Sequence, residues 1–128
     1  MNKSVVVIGS VLVVLGIILG AFGAHALEKM VDADKLLSFE TGVRYQMYHG
    51  LALIVLGANA DRLLEESRVM VRMMLTGVIL FSVSIYFLVL QEPMGVELKF
   101  LGPMTPFGGL LMIASWVLFI KNLLSSKE

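Results

Sequence analysis

The chain has no cysteine, only three prolines, a single tryptophan and no net charge. Without cysteine it has no disulfide, no thiolate metal site and no thiol nucleophile, and cysteine usage gives no indication of the redox compartment. Ten basic residues balance ten acidic ones, so no positive field favours a nucleic-acid partner. Charge is scarce as well: 16% of the 128 residues are charged and 58% are hydrophobic, with a mean hydropathy of +0.89. This balance is typical of an integral membrane protein.

The charged residues are concentrated in short segments and leave four long apolar stretches. The first, Ser4–Ala24, has 21 residues, enough for a helix to cross a hydrocarbon core of about 30 Å. We therefore predict an all-α fold, one membrane domain over 1–128 forming an antiparallel four-helix bundle, with spans at about 4–24, 44–60, 73–91 and 105–124. A signal peptide is the competing interpretation of the first stretch, since Ala24-His25-Ala26 resembles a cleavage site. The length of the apolar run favours a span.

Local signals predict how the helices begin and pack. Glycines recur near one face of the first span, at Gly9, Gly16, Gly20 and Gly23, and predict a packing seam inside the molecule in preference to a homodimer contact. Asp32 or Asp34 is expected to cap a helix that continues through Glu40 and Arg44. Arg44 is expected either to form an i,i+4 ion pair with Glu40 or to bind a lipid phosphate at the interface. Thr105, followed directly by proline, is expected to cap the last helix.

Polar residues gather at the boundaries of these stretches. In a four-span chain, the end of span one, the start of span two, the end of span three and the start of span four share one membrane face. Buried polar groups in hydrocarbon need partners. We therefore predict an interhelical polar cluster of His25, Arg44, Tyr45, Gln46, His49, Ser82, Ser84, Tyr86 and Thr105. Trp116, deep within its span, also needs a partner for its indole N–H.

Reactive roles for these residues have weak support in the sequence. No dense His/Glu spacing indicates a metal site, so neither a metal nor another cofactor is predicted. A histidine with neighbouring tyrosine and glutamate is reasonable in a proton relay, but no charged residue lies in the middle of a span. Ser82 or Ser84 with a histidine is the one nucleophile and base pair that the sequence offers. Neither a nucleophile-elbow sequence nor a carboxylate that would orient the histidine accompanies these serines. No catalytic residue is predicted.

The basic residues bear on orientation and on lipid contacts. Arg68 and Arg72 oppose the dipole at the start of the third helix, so we expect them to contact anionic lipid headgroups. If the N-terminus is inside, six basic residues lie on that side (Lys3, Arg62, Arg68, Arg72, Lys121 and Lys127) and four lie outside (Lys29, Lys35, Arg44 and Lys99). The positive-inside rule then predicts a cell-membrane protein with both termini in the cytoplasm.

Several motifs together resemble a family. They are Gly20-Ala21-Phe22-Gly23-Ala24-His25-Ala26-Leu27, Tyr45-Gln46 with His49, Leu80-Phe81-Ser82 with Ser84 and Tyr86, and Thr105-Pro106 with Gly108-Gly109 and Trp116. The chain looks like the YgdD/YwdK type of small membrane protein, and the resemblance covers nearly all of it. It implies four membrane helices and supplies no activity. Val83 stands where a glycine is expected and Gly50 where an alanine is usual.

The sequence favours a non-enzymatic membrane protein whose polar cluster fixes the bundle or presents a surface to a partner. The expected partners are the lipid bilayer, a second copy or another membrane protein. The alternative is a small transporter or a proton- or ion-handling protein, whose site would be lined by His25, Arg44, Tyr45 and His49.

Overall fold

The computed structural model describes residues 1–63 and 68–126, and within these ranges the chain forms helices and turns and no strand. Lys127 and residues 64–67 of the charged loop lie outside the described residues. The helices are α1 (Lys3–His25), α2 (Ala33–Ala58), the single turn α3 (Ala60–Leu63), α4 (Arg68–Val78), α5 (Ser84–Leu90) and α6 (Met104–Ser125). A π-helical turn, Ile79–Val83, joins α4 to α5, and 3₁₀ turns lie at Leu27–Lys29 and Lys99–Leu101.

Short polar side chains define the ends of the first two helices. The Asn2 side chain accepts a hydrogen bond from the backbone N–H of Val5 at 3.3 Å, and Asp32 accepts one from the N–H of Lys35 at 2.9 Å. Both satisfy backbone donors that have no partner inside the helix. The prediction of Asp32 as a cap is confirmed, and α2 continues without interruption through Arg44.

Two local predictions are wrong. Glu40 and Arg44 are both exposed and form no ion pair with each other. Thr105 does not cap α6, because the helix already begins at Met104 with Pro103 as its cap residue. The Thr105 hydroxyl instead forms a hydrogen bond with Ser84 on α5. The side chain predicted to cap α6 therefore joins α6 to α5.

Glycines bring α1 and α2 into backbone contact. Gly9, Gly16 and Gly23 are buried on one face of α1. A Cβ atom placed on Gly9 would lie 2.6 Å from the carbonyl oxygen of Gly50, closer than real contacts allow. Only a hydrogen at Gly9 and at Gly50 lets the two backbones approach so closely. The predicted packing seam within the molecule is confirmed, and Gly50 is one of its members.

A second glycine contact joins α4 and the π turn to α6. A Cβ on Gly108 would lie 2.4 Å from the backbone nitrogen of Phe81 and 2.7 Å from the carbonyl oxygen of Gly77. Val83, at the position where the family resemblance suggests glycine, is 39% exposed. Close helix approach therefore occurs at Gly77 and Gly108.

The buried apolar side chains form two clusters. One joins α1, α2 and α4 through Val5, Leu53, Leu56, Met70 and Met74. The other joins the 3₁₀ turn after α1 to α2 and α5 through Leu27, Phe39, Ile85, Tyr86 and Val89. The polar side chains of interest lie between them.

Three helical stretches among the described residues are long and apolar enough to cross a membrane: Lys3–Lys29, Arg68–Leu90 and Lys99–Ser125. The helix α2 has 26 residues but carries charges in its first half. The glycine contacts nevertheless pack it along most of the length of α1.

Candidate functional site: an interhelical polar network

Gln46 bridges three helices from the middle of α2. Its side-chain amide N–H donates to the Leu12 carbonyl of α1 at 2.9 Å, and its amide oxygen accepts from the Tyr86 hydroxyl of α5 at 2.6 Å. Gln46 is 4% exposed and Tyr86 is 7% exposed. The Tyr86 ring also packs against Phe39, with 4.9 Å between ring centroids. One amide group thus links α1, α2 and α5 in an apolar setting.

His49 connects α2 to α6 one turn further along. Its Nε2 lies 3.0 Å from Nε1 of Trp116, and its Nδ1 lies 2.8 Å from the Tyr45 carbonyl. An indole N–H only donates and a carbonyl only accepts. His49 Nε2 therefore accepts and Nδ1 donates, which fixes the neutral imidazole with its proton on Nδ1.

Two serines beside the π turn reach different neighbours. The Ser82 hydroxyl donates to the Gly42 carbonyl of α2 at 2.7 Å. The Ser84 oxygen lies 3.0 Å from the Phe81 carbonyl and 2.6 Å from the Thr105 oxygen. Because the Ser84 proton is used for the carbonyl, Thr105 donates to Ser84. Ser82 and Ser84 are both buried.

We use the name polar network for the side chains that make these separate hydrogen bonds between helices: Gln46, His49, Ser82, Ser84, Tyr86, Thr105 and Trp116. Tyr45 lies at its edge, 41% exposed, with its ring 5.2 Å from that of Phe81 and stacked at 6.4 Å on the His49 imidazole. Six of the nine residues predicted for the cluster thus belong to the polar network, and a seventh, Tyr45, borders it.

The other two lie apart from the network. His25 is exposed at the end of α1, and Arg44 is exposed on the outer side of α2. On this side of the molecule, Lys35 bonds to Glu92 and so ties the start of α2 to the turn after α5. That hydrogen bond to a carboxylate raises the pKa of the Lys35 ammonium.

Arg68 and Arg72 lie at the opposite end of the molecule. Both are exposed, and they line a recess together with Lys3 and Asp61. The N-terminal ammonium group pairs with Asp61 at 2.9 Å. Their predicted contact with lipid headgroups stays a prediction, and the recess shows that these cations share one end of the molecule.

The network satisfies its own hydrogen-bonding groups. Across residues 1–63 and 68–126, no buried side-chain nitrogen or oxygen lacks a hydrogen-bond partner. The same ranges contain no group of three or more histidine and carboxylate side chains placed to hold a metal ion. The described arrangement forms hydrogen bonds between helices.

Trp116 is the member of the network that sequence reasoning did not include. Its position deep in a span indicates that the indole N–H needs an acceptor. Helix parity gathers only residues near the ends of spans, and Trp116 is a dozen residues into α6. Pairing a mid-span tryptophan with the histidines as candidate acceptors is the signal that would have found it.

Long apolar helices joined by a closed polar network define a class, the small helical membrane proteins. Residues 19–109 match the family described as "Protein of unknown function (DUF423)", and the chain belongs to this family. The predicted resemblance is confirmed.

Curated relatives support the same class. The chain is similar to the UPF0382 membrane protein YwdK of Bacillus subtilis, at 37% identity over 120 residues that cover 92% of this chain and 94% of the relative. It is also similar to the UPF0382 membrane protein SH2409 of Staphylococcus haemolyticus, at 38% identity over 118 residues that cover 92% and 93% of the two chains. No solved structure matches the chain.

Proposed function

We propose that this is a non-enzymatic multi-pass membrane protein whose polar network holds the helices together. The observation that carries this proposal is the closure of the network: in the described part of the chain, every buried polar side-chain atom already has a partner within the protein. A site for a substrate or ion normally keeps donors or acceptors available for it. The outer surface is then the part that meets lipid, a second copy or another membrane protein.

The proposed architecture is one membrane domain of four crossing helices in an antiparallel bundle, with spans at about 4–24, 44–60, 73–91 and 105–124. Contacts between α1 and α2 at both of their ends support this antiparallel arrangement. The Asn2 N–H donates to the Gly57 carbonyl at 2.8 Å, and Gly23 lies against Phe39. The start of α1 thus meets the end of α2, and the end of α1 meets the beginning of α2. With 26 residues, α2 is about 39 Å long, which exceeds a hydrocarbon core of about 30 Å.

The proposed location is the cell membrane, with both termini in the cytoplasm. Support comes from the recess that Arg68, Arg72 and Lys3 share at one end of the molecule, because basic residues favour the cytoplasmic side. At that level Arg68 and Arg72 would contact the phosphates of the inner leaflet.

A flux assay tests this proposal against the transporter alternative. Purified protein is reconstituted into liposomes, and movement of protons, sodium and potassium is followed at mildly acidic and mildly basic pH. We expect no flux above protein-free vesicles, with an added ionophore as the positive control. Flux that depends on the protein and is lost in His49→Ala would instead support the transporter or ion-handling alternative.

A further inference from the structure

Arg44 has no anionic partner within the described residues. The ion pairs there join the N-terminus to Asp61, Lys35 to Glu92 and Lys99 to Glu97. The Arg44 side chain is exposed, and the Glu40 carboxylate one turn away does not pair with it. Its guanidinium is therefore available to a group outside the chain.

The contacts between α1 and α2 fix how deep Arg44 lies. Three contacts set the register of these helices: Gly9 with Ile54, Gly16 with Met47, and Gly20 with Val43. Arg44 is therefore level with Leu19 and Gly20 of α1. The apolar run of α1 ends at Ala24, so the Arg44 backbone, at the start of the second proposed span, lies about 6–8 Å inward of the end of that run at 1.5 Å per residue. This depth rests on the proposed crossing of α2.

The direction of the side chain brings the charge back towards the nearer membrane boundary. In an α-helix the Cα–Cβ bond tilts towards the helix N-terminus. The N-terminus of α2, capped by Asp32, is at the nearer boundary. A long arginine side chain that follows this direction carries its guanidinium to the level of the lipid phosphates, while a charge left at the depth of its backbone would be unfavourable.

The residues on this side of α2 form a graded surface. We call it the Arg44 face: Glu40, Arg44, Tyr48, Leu51 and Val55, which share one side of the helix at steps of three and four residues. Tyr48, Leu51 and Val55 are 57%, 50% and 56% exposed. From the boundary inwards, the surface presents a carboxylate, a guanidinium, a phenol and then apolar side chains.

We propose that the Arg44 face binds a phospholipid with an amine headgroup, of the phosphatidylethanolamine type. The order of groups in such a lipid, from water inwards, is ammonium, phosphate, glycerol and acyl chain. Glu40 meets the ammonium, Arg44 the phosphate, Tyr48 the glycerol region, and Leu51 with Val55 an acyl chain. Arginine suits phosphate because its planar donors form paired, charge-assisted hydrogen bonds.

Lipid binding to purified protein tests this assignment by native mass spectrometry and thermal unfolding in one detergent. The probes are phosphatidylethanolamine, phosphatidylglycerol and diacylglycerol with identical acyl chains. For the wild type, we expect phosphatidylethanolamine to bind most tightly and diacylglycerol least. Arg44→Gln should bind both phospholipids about tenfold more weakly, since it loses the charged contacts with phosphate. Glu40→Gln should remove the preference for phosphatidylethanolamine over phosphatidylglycerol.

The matched control is Arg62→Gln, which removes an exposed arginine outside the Arg44 face and should bind lipid as the wild type does. Arg44→Lys, which keeps the charge, provides a second variant should Arg44→Gln unfold. Equal binding of diacylglycerol, or equal binding by Arg44→Gln and wild type, would overturn the proposal. A wild-type dimer that Arg44→Gln converts to a monomer without any dependence on phospholipid would assign this face to a second copy and would also overturn it.

Failure of the proposed crossing of α2 is detected separately. Single cysteines at Ala33 and Asn59 report on the two ends of this helix. Labelling from opposite sides together with unaltered lipid binding by Arg44→Gln refutes only the lipid site. Labelling from one side removes the depth argument and the crossing together.

Discussion

At the scale of single residues, the contact between His49 and Trp116 determines one protonation state of the imidazole. The indole N–H points at Nε2, while Nδ1 is committed to the Tyr45 carbonyl. An imidazolium would present an N–H to the indole N–H and lose this bond. The bond therefore selects neutral His49 and holds α2 against α6.

We predict that His49→Ala lowers the free energy of unfolding in detergent by about 1–3 kcal/mol, because the half-buried Trp116 donor loses its acceptor. Trp116→Phe should also destabilise the fold. The double variant should reveal a coupling energy of about 0.6 kcal/mol and at most about 1.7 kcal/mol, the average and the maximum found for hydrogen bonds between membrane helices. Unfolding by sodium dodecyl sulfate measures all three.

His25→Ala is the matched control for this cycle, since it removes the chain's other histidine from an exposed position. It should change stability by no more than about 0.5 kcal/mol. Strict additivity of His49→Ala and Trp116→Phe would contradict the hydrogen bond.

The sequence predicted part of this residue-level picture. The position of a lone tryptophan deep within a span implies an acceptor for its N–H, and this expectation is confirmed. The identity of the acceptor depends on how closely α6 approaches α2, which no local pattern encodes. The predicted Glu40–Arg44 ion pair is absent. The i,i+4 spacing permits this contact, but two exposed side chains gain little free energy from forming it.

At the scale of elements, backbone contacts at Gly77 and Gly108 position α6 against α4 and the π turn. A methyl group on Gly108 meets backbone atoms, which cannot rotate away as a side chain can. The neighbouring Gly109 has more room, because its nearest contact would be the Phe81 side chain at 3.7 Å. These two glycines offer a pair of substitutions with the same chemistry and different surroundings.

We predict that Gly108→Ala destabilises the protein by about 1–3 kcal/mol or more, because the helices must separate to admit the methyl group. Gly109→Ala should leave stability unchanged or raise it by up to about 1 kcal/mol through helix propensity. Thermal unfolding of both variants in the same detergent measures the difference. Equal effects of the two substitutions would refute the close approach at Gly108.

The elements differ in how far the sequence predicts them. The recurrence of glycine along α1 predicts the seam, because a helix places such residues on one face. The π turn at Ile79–Val83 has no comparable signal in the sequence. The helix α4 includes Arg68, five residues before the predicted span, because a helix can extend beyond the apolar residues that cross the membrane. The sequence predicts that Ser82 and Ser84 need hydrogen-bond partners, whereas the identity of those partners on α2 and α6 depends on packing.

At the scale of the whole molecule, α2 is the helix that connects the others. It packs along α1 through glycines, bonds to α5 through Gln46 and Ser82, and bonds to α6 through His49. Its charged first half keeps it out of the most apolar stretches, yet it supplies the centre of the polar network. Whether α2 crosses the bilayer therefore decides the topology.

We predict that single cysteines at Ala33 and Asn59 are labelled from opposite sides of the membrane, because α2 is long enough to cross it. The chain contains no cysteine, so each variant reports on one position without background. A membrane-impermeant maleimide applied to intact cells and to permeabilised cells measures the sidedness. Labelling of both positions from the same side would contradict four crossings.

Composition and hydropathy predict the class of the whole molecule, and membership of a membrane-protein family confirms it. The neighbours of each helix are harder to read. In lipid, an apolar side chain gains no hydrophobic free energy by packing against a helix instead of an acyl chain, so the apolar pattern carries little information on which helices are neighbours. Glycine and polar residues carry that information instead, and they identify partners only once the helices are placed together.

The division of contacts along the chain also bears on the order of assembly during synthesis. The glycine seam between α1 and α2 joins neighbours in sequence and can close once residue 58 has been made. At that stage the Gln46 amide oxygen and the His49 Nε2 still lack Tyr86 and Trp116, their later partners. These two acceptors gain their native donors only after α5 and α6 have been made, so the polar network closes last, although the glycine seam can form first.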